Sequence, residues 1–351
     1  MFINRKKFDF VLFALFLLLI IVGCIVIFSA STTVIGKQIH LQNSWWKQIL
    51  FAFLALGVIT LLLRLPMPVF DLLVVPLYIL NILALILVFF TPAVNGSHRW
   101  FPLGGINYQP SESAKLLTIL MVARIISKEN LNEYRQILYG FLLTLLPVLL
   151  IMLEPDFGTT LVFWAALIAM LIAAEVPLFY ILLCISPIVS IISSVWFPAI
   201  PIWILILVIL LLKAHLSWVA ITVSGIINVF IALITPVFWM GLKDYQQNRI
   251  LTFMDPTRDP LGAGYQIIQA KIAIGSGSVF GKGWLKGTQK NMNFLPEHRT
   301  DFIFSVLGEE FGFVGCMFLL LLFIAFFLRL IHNIGELKVR ERKVATAGIL
   351  A

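Results

Sequence analysis

Long apolar runs recur along this chain, and their length constrains everything else. Ten of them lie at 8–30, 47–63, 71–91, 112–127, 137–153, 158–174, 178–196, 199–213, 216–240 and 303–331. A helix of about 17–25 apolar residues spans the hydrocarbon core of a bilayer. In lipid every backbone N–H and C=O must be satisfied within its own segment, so such runs fold as helices. The pattern predicts an all-α polytopic membrane protein with about ten transmembrane helices.

Composition agrees. Hydrophobic residues make up 61% and charged residues only 12%, with a mean hydropathy of +1.03. Soluble domains are about 25% charged. The 25 Lys and Arg against 17 Asp and Glu cluster at the ends of apolar runs, with no basic stripe interleaved with aromatics. That is the pattern of topology signals and anionic-lipid contact, and nucleic-acid binding is excluded on it. Cys24, Cys184 and Cys316 are scattered through apolar segments and form neither a metal spacing nor a disulfide framework. The first run is too long, and lacks the cleavage site, to be a removable signal peptide.

Arg5, Lys6 and Lys7 precede the first run and assign the N-terminus to the cytoplasm. Counting spans then gives the cytoplasm Arg64, the Arg124–Arg135 connection, Lys213 and the final basic segment from Arg329 to Lys343. Residues 31–46, 92–111 and the long connection 241–301 fall on the opposite side. That connection holds 13 of the 42 charged residues and 8 of the 22 glycines in 61 positions. A connector of this length is usually functional or disordered. Its Gly264–Ile274 stretch is apolar enough to predict an amphipathic helix in the interface.

Chemistry concentrates on that outer side. Asp301 stands where the long connection enters the last run, a place that suits a general base acting on a hydroxyl; it equally suits a helix cap. Pro110 and Ser111 start a helix with Glu112 in its first turn, and Lys115, at i+3, shares a face with Glu112. The lysine there either pairs with Glu112 at a cavity mouth or snorkels to the interface. Glu154-Pro155-Asp156 puts two carboxylates at a break between spans, and read alone it is a turn. Glu309 and Glu310, about 12–14 Å beyond Asp301 at ~1.5 Å per residue, should include one that faces the protein interior. Arg99, Arg249, Arg258, Lys271, Lys282 and Arg299 supply cations that, if they converge, bind a diphosphate. The glycines of GSGSVFGKGWLKG at 275–287 would let backbone approach a ligand.

These stretches together carry a resemblance. DPLGAGYQIIQAKIAIGSGSVFGKGWLKGTQ, ending at Gln289, and FLPEHRTDFIFSVLGEEFG at 294–312 closely resemble the RodA branch of the SEDS family. SHRWFPLG with QPSESAK at 97–115 and EPDFGT at 154–159 match it in the same order. GKGWLKGTQ favours RodA over the division-specific FtsW branch. The resemblance covers most of residues 1–351 as a single transmembrane domain. This chain departs from the family in two ways: four apolar segments stand between EPDFGT and DYQQNR where the usual pattern has two, so 175–240 holds an extra pair. The C-terminal spans of the family, with their Pro-Leu-Pro-Phe and Ser-Tyr-Gly-Gly motifs, are missing here.

The resemblance implies a peptidoglycan glycosyltransferase of the bacterial cytoplasmic membrane that polymerises lipid II for cell elongation. It implies Asp301 as the essential acid, with Arg99, Trp100, Glu112, Lys115, Asp156, Arg249, Lys271 and Glu310 lining the cavity. It also implies a divalent cation, Mg or Mn, for which Asp301 is a candidate ligand. Implied partners are the growing lipid-linked glycan, a class B penicillin-binding protein that supplies the transpeptidase, and the elongation machinery. Two rival classes are a lipid II flippase without bond chemistry and a non-catalytic scaffold. A flippase should carry polar groups through the full membrane depth and often shows repeated halves. Here polar groups gather on one side and no repeat is visible, and a scaffold leaves the cluster of acids, bases and glycines without a purpose.

Overall fold

The computed structural model describes residues 9–35, 38–41, 44–92, 98–103, 106–154, 156–194, 199–213, 218–242, 247–248, 251–252, 255–260, 262, 264–291 and 300–351. All ten apolar runs are helices: α1 (Phe10–Ser31), α2 (Ser44–Arg64), α3 (Met67–Leu87), α4 (Pro110–Ile126), α5 (Glu133–Leu153), α6 (Phe157–Ala173), α7 (Leu178–Ser193), α8 (Ala199–Lys213), α9 (Trp218–Gly241) and α12 (Ile303–Glu336). Between α9 and α12 lie α10 (Tyr265–Ser276) and the single turn α11 (Thr288–Asn291), and α13 (Arg340–Leu350) follows α12. The protein is an all-α multi-pass membrane protein.

Length and hydropathy alone qualify six described helices as spans: Phe10–Ser31, Trp45–Arg64, Pro68–Phe90, Glu133–Leu153, Ile221–Gly241 and Ile303–Glu336. Gly158–Ala173, Leu178–Ser193 and Ala199–Lys213 are shorter apolar helices. Helix α4 is the tenth, and its polar first turn (Ser111, Glu112, Ser113, Lys115) lowers its hydropathy. No residue in the apolar window of α2 is buried, as expected where lipid replaces water as the solvent of Phe53 and Leu54.

Two antiparallel hairpins were not legible in the sequence. Strand β1 (Thr32–Ile35) pairs with β2 (Gln38–Leu41) in the register Thr32↔Leu41. Strand β3 (Phe101–Leu103) pairs with β4 (Ile106–Tyr108) in the register Phe101↔Tyr108. Both runs are too short and too polar to alternate visibly.

The chain divides into two compact units. The first comprises Met1–Leu65 and Leu242–Leu330. Here α1 packs on α12 through Val22, Val26, Leu307 and Cys316. The Asp9 side chain accepts from Leu12 N at the start of α1 and pairs with Arg329 Nε at 2.8 Å. One carboxylate thus caps a helix and ties it to its neighbour.

The second unit comprises Pro66–Gly241 and Ile331–Ala351. At its centre α4 meets α3, α5, α6 and α13, with Val122, Ile126, Leu171, Ile181 and Val344 in the core. Gly348 of α13 lies so close to α6 that a Cβ there would come within 2.7 Å of Met170 Cγ. Helices α7, α8 and α9 are joined by a buried polar network. Ser190 Oγ donates to Asn228 Oδ1 at 2.7 Å and accepts from Trp203 Nε1 at 2.8 Å. Asn228 Nδ2 donates to Ser186 Oγ at 2.9 Å. Such bonds hold helices together where hydrocarbon supplies no hydrophobic drive.

Candidate functional site

In the first unit α12 breaks at Gly312, whose φ of 65° and ψ of −161° only glycine adopts readily. The segment 277–289 docks on that break. Phe313 N and Val314 N donate to the carbonyls of Ser278 and Val279, while Lys282 N and Gly283 N donate to those of Glu309 and Glu310. The approach requires glycine: a Cβ on Gly281, itself at φ 80°, would sit 2.1 Å from Glu310 O. Two glycines of the run thus serve packing within the protein: those at 277 and 281 receive the backbone of α12.

Glu309 is the anchor of this junction. It is 1% exposed. Its Oε1 accepts from Lys282 Nζ at 2.7 Å, Thr288 Oγ1 at 2.8 Å and Thr288 N at 2.8 Å. Gln289 N donates to both carboxylate oxygens at 3.3 Å. Glu310 is equally buried and accepts from Ser29 Oγ of α1 at 2.7 and 2.6 Å. Both acids thus face the protein interior, and Glu310, expected as a cavity residue, joins α12 to α1.

Asp301 has a different character. It lies in the turn immediately before α12, exposed to solvent. It accepts no hydrogen bond and forms no ion pair among the described residues, so it caps nothing there. Its carboxylate stays available, next to a helix whose first turns are clamped by Glu309 and Glu310. Lys271 is exposed on α10. Arg249 and Arg299 fall outside the described residues. Two of the cations are already engaged, Lys282 by Glu309 and Arg258 by Asp255 at 3.7 Å.

In the second unit Lys115 Nζ pairs with Glu112 Oε2 at 2.8 Å, which decides for pairing over snorkelling. Lys115 also lines a cavity of about 10 Å³ with Thr118, Thr144, Phe163 and Met170. That is room for roughly one water, and Thr118 Oγ1 is buried there without a partner. Asn81 Nδ2 reaches across from α3 to Ser113 Oγ at 2.7 Å and Pro110 O at 3.2 Å, fixing the start of α4. Because Glu112 is 59% exposed, Glu112→Gln should change stability by less than ~1 kcal/mol. A thermal melt in detergent checks this, and a large activity loss in a variant of unchanged melting temperature would then report on chemistry.

Arg99, Trp100 and Asp156 also belong to this unit. Arg99 Nε donates to the main-chain carbonyl of Glu154 at 2.8 Å, and its Nη1 lies 4.0 Å from Asp156 Oδ2. Asp156 caps α6, accepting from Thr159 N at 3.3 Å and Thr159 Oγ1 at 2.9 Å. The Trp100 carbonyl accepts from Thr91 Oγ1 at 3.2 Å. Glu154, read from sequence as part of a turn, is 2% exposed, and burial pushes its carboxyl up to about 7 against the pull of Arg99 and with the push of Asp156. Nothing local in the sequence signals that burial.

Known proteins resemble this chain in sequence and in fold. The model of the FtsW/RodA/SpoVE cell cycle proteins matches residues 9–204 and 199–351. The chain belongs to this family. The peptidoglycan glycosyltransferase MrdB of Escherichia coli (strain K12) is 33% identical over 356 residues, covering 99% of this chain and 83% of that protein. The peptidoglycan glycosyltransferase RodA of Treponema pallidum (strain Nichols) is 29% identical, covering 98% and 86%. Among solved structures, a chain of a peptidoglycan synthase complex that coordinates polymerization and crosslinking is 25% identical. It superposes with a TM-score of 0.70 over 98% of this chain and 83% of its own. RodA of Thermus thermophilus, at 22% identity and a TM-score of 0.58 over 99% and 82%, shares the fold.

Proposed function

We propose that this chain is a peptidoglycan glycosyltransferase that polymerises lipid II for cell elongation. Besides the family, one observation carries the chemical assignment: Asp301 is an exposed carboxylate, uncommitted among the described residues, set immediately before a clamped helix. In this reading Asp301 accepts the proton of the 4-hydroxyl of a GlcNAc on the incoming lipid II. That oxygen attacks C1 of the lipid-linked MurNAc, the C1–O bond to the polyprenyl diphosphate breaks, and the diphosphate leaves with its electron pair. An α-linked diphosphate becoming a β-1,4 glycoside is inversion, so a single displacement suffices. Lys271 and Arg249 are assigned to electrostatic stabilisation of the diphosphate, and Trp100, Arg99, Glu112, Lys115 and Asp156 to holding the saccharide.

Among the described residues no three His, Cys, Asp or Glu side chains come together as a metal cage. A Mg or Mn ion would be held by Asp301, a single carboxylate being enough for a cation that keeps several of its waters. Bound there, it would neutralise charge on the leaving group.

The N-terminus is assigned to the cytoplasm, and the chain to the cytoplasmic membrane, on the basic residues before α1. The synthase-complex neighbour supports a class B penicillin-binding protein as partner. Incubating the purified protein with labelled lipid II, with manganese or with EDTA, tests the whole reading. Glycan polymer is the expected product. Transfer of lipid II across vesicles without polymer would favour the flippase instead.

A further inference from the structure

Glu154 closes α5 and is buried, yet among the described residues neither of its carboxyl oxygens has a hydrogen-bond partner. Arg99 lies beside it and spends its Nε on the Glu154 main-chain carbonyl at 2.8 Å. Its Nη1 is turned toward Asp156 Oδ2, 4.0 Å away. A guanidinium next to a buried carboxylate would normally fork onto it. Leaving an ionised carboxylate without any partner there is costly, whereas a neutral acid is tolerated.

Among the described residues the surroundings supply no other charge for it. The ionisable groups acting on Glu154 are Arg99 and Asp156. From α4, Glu112 and Lys115 pair with each other. Helix α6 carries no ionisable residue. Of those on α3, the Tyr78 hydroxyl donates to Leu143 O, and the Asp71 carbonyl accepts from Arg124. His98, next to Arg99, is exposed, with its Nδ1 2.6 Å from Thr91 O.

We propose that Glu154 is a positioning residue that works as a neutral carboxylic acid, leaving Arg99 and Asp156 as a donor–acceptor pair for a sugar hydroxyl or acetamido group of a lipid-linked saccharide. The proposal rests on the glycosyltransferase reading for the identity of that saccharide. Arg99 donates and Asp156 accepts, a combination suited to a neutral polar group and ill suited to an anion. An ionised Glu154 draws the guanidinium off Asp156 and places a second negative charge beside it. Binding then weakens as pH rises.

The test compares wild type with Glu154→Gln, an uncharged near-isostere of the neutral acid, between pH 5.5 and 8.5. Two quantities are read: Kd for fluorescent lipid II and melting temperature, both in detergent. Wild-type Kd should rise about tenfold by pH 8, where roughly a tenth of the groups remain neutral. The Gln variant should hold the low-pH affinity throughout. The folded protein keeps a proton that the unfolded chain releases with an ordinary carboxyl pKa. Stability is therefore highest at low pH and falls as pH rises toward 7. In wild type the melting temperature should follow that fall, and in Glu154→Gln the carboxyl's share of the slope should vanish.

A Gln variant whose Kd and melting temperature track pH as wild type does overturns the proposal, as does one that binds poorly at every pH. If the Kd trend holds but no polymer forms with either protein, the glycosyltransferase reading fails while Glu154 keeps its assignment.

Discussion

Asp301→Ala is expected to lower the rate of lipid II polymerisation by about 10²–10⁴-fold, the contribution of a positioned general base. The same variant should fold as well as wild type. Asp301 is exposed and makes no hydrogen bond or ion pair among the described residues, so its loss should move stability by no more than ~0.5 kcal/mol. That separation makes the experiment decisive, since a dead but normally melting enzyme implicates chemistry and nothing else. Asp301→Asn should be about as inactive, because the amide keeps the shape and loses the basicity. Gel analysis of glycan polymer beside a thermal melt of each variant provides both readouts. Wild-type polymer from Asp301→Ala would remove this residue from the mechanism.

Glu309→Ala is expected to fail in the opposite way, through structure. The buried carboxylate satisfies the Lys282 ammonium, the Thr288 hydroxyl and the backbone N–H groups of Thr288 and Gln289. Deleting it strands all four donors, at a cost on the order of 3 kcal/mol, discounted because Lys282 is 28% exposed and recovers some hydration. The segment 277–289 should then detach from α12. The melting temperature should fall by about 5–10 °C, and limited proteolysis should cut near Lys282 and Lys286. Glu309→Gln keeps an acceptor for the N–H groups but loses the charge facing Lys282, so it should fall between the two. Equal melting of Glu309→Ala and wild type would show that the clamp contributes nothing.

These two acidic residues illustrate what could be read without coordinates. Asp301 was legible because its position at a span entrance is a one-dimensional fact, as was the Glu112–Lys115 pair, set by a spacing of three on one helix. That one of Glu309 and Glu310 faces the interior was legible, but not that both do nor that Glu309 is a clamp, because its donors come from residues 20–27 positions away. Glu154 gave no signal at all. It follows a helix in a short turn, and its burial depends on what that turn is packed among. The glycines of 275–287 were seen, but not that Gly277 and Gly281 receive the backbone of α12, since a permissive backbone declares that something comes close without saying what.

The sequence by itself determined that this protein is a bundle of membrane helices, where those helices lie, and to which family it belongs. Hydropathy suffices for that because lipid leaves a long apolar segment no alternative to the helix. Only the tertiary structure decided which carboxylates are engaged and which remain available among the described residues: Glu309 clamped, Glu310 bound to Ser29, Glu154 buried without a partner there, Asp301 exposed and uncommitted there. The chemistry of a carboxylate follows from its surroundings, and those are assembled from residues far apart in the chain.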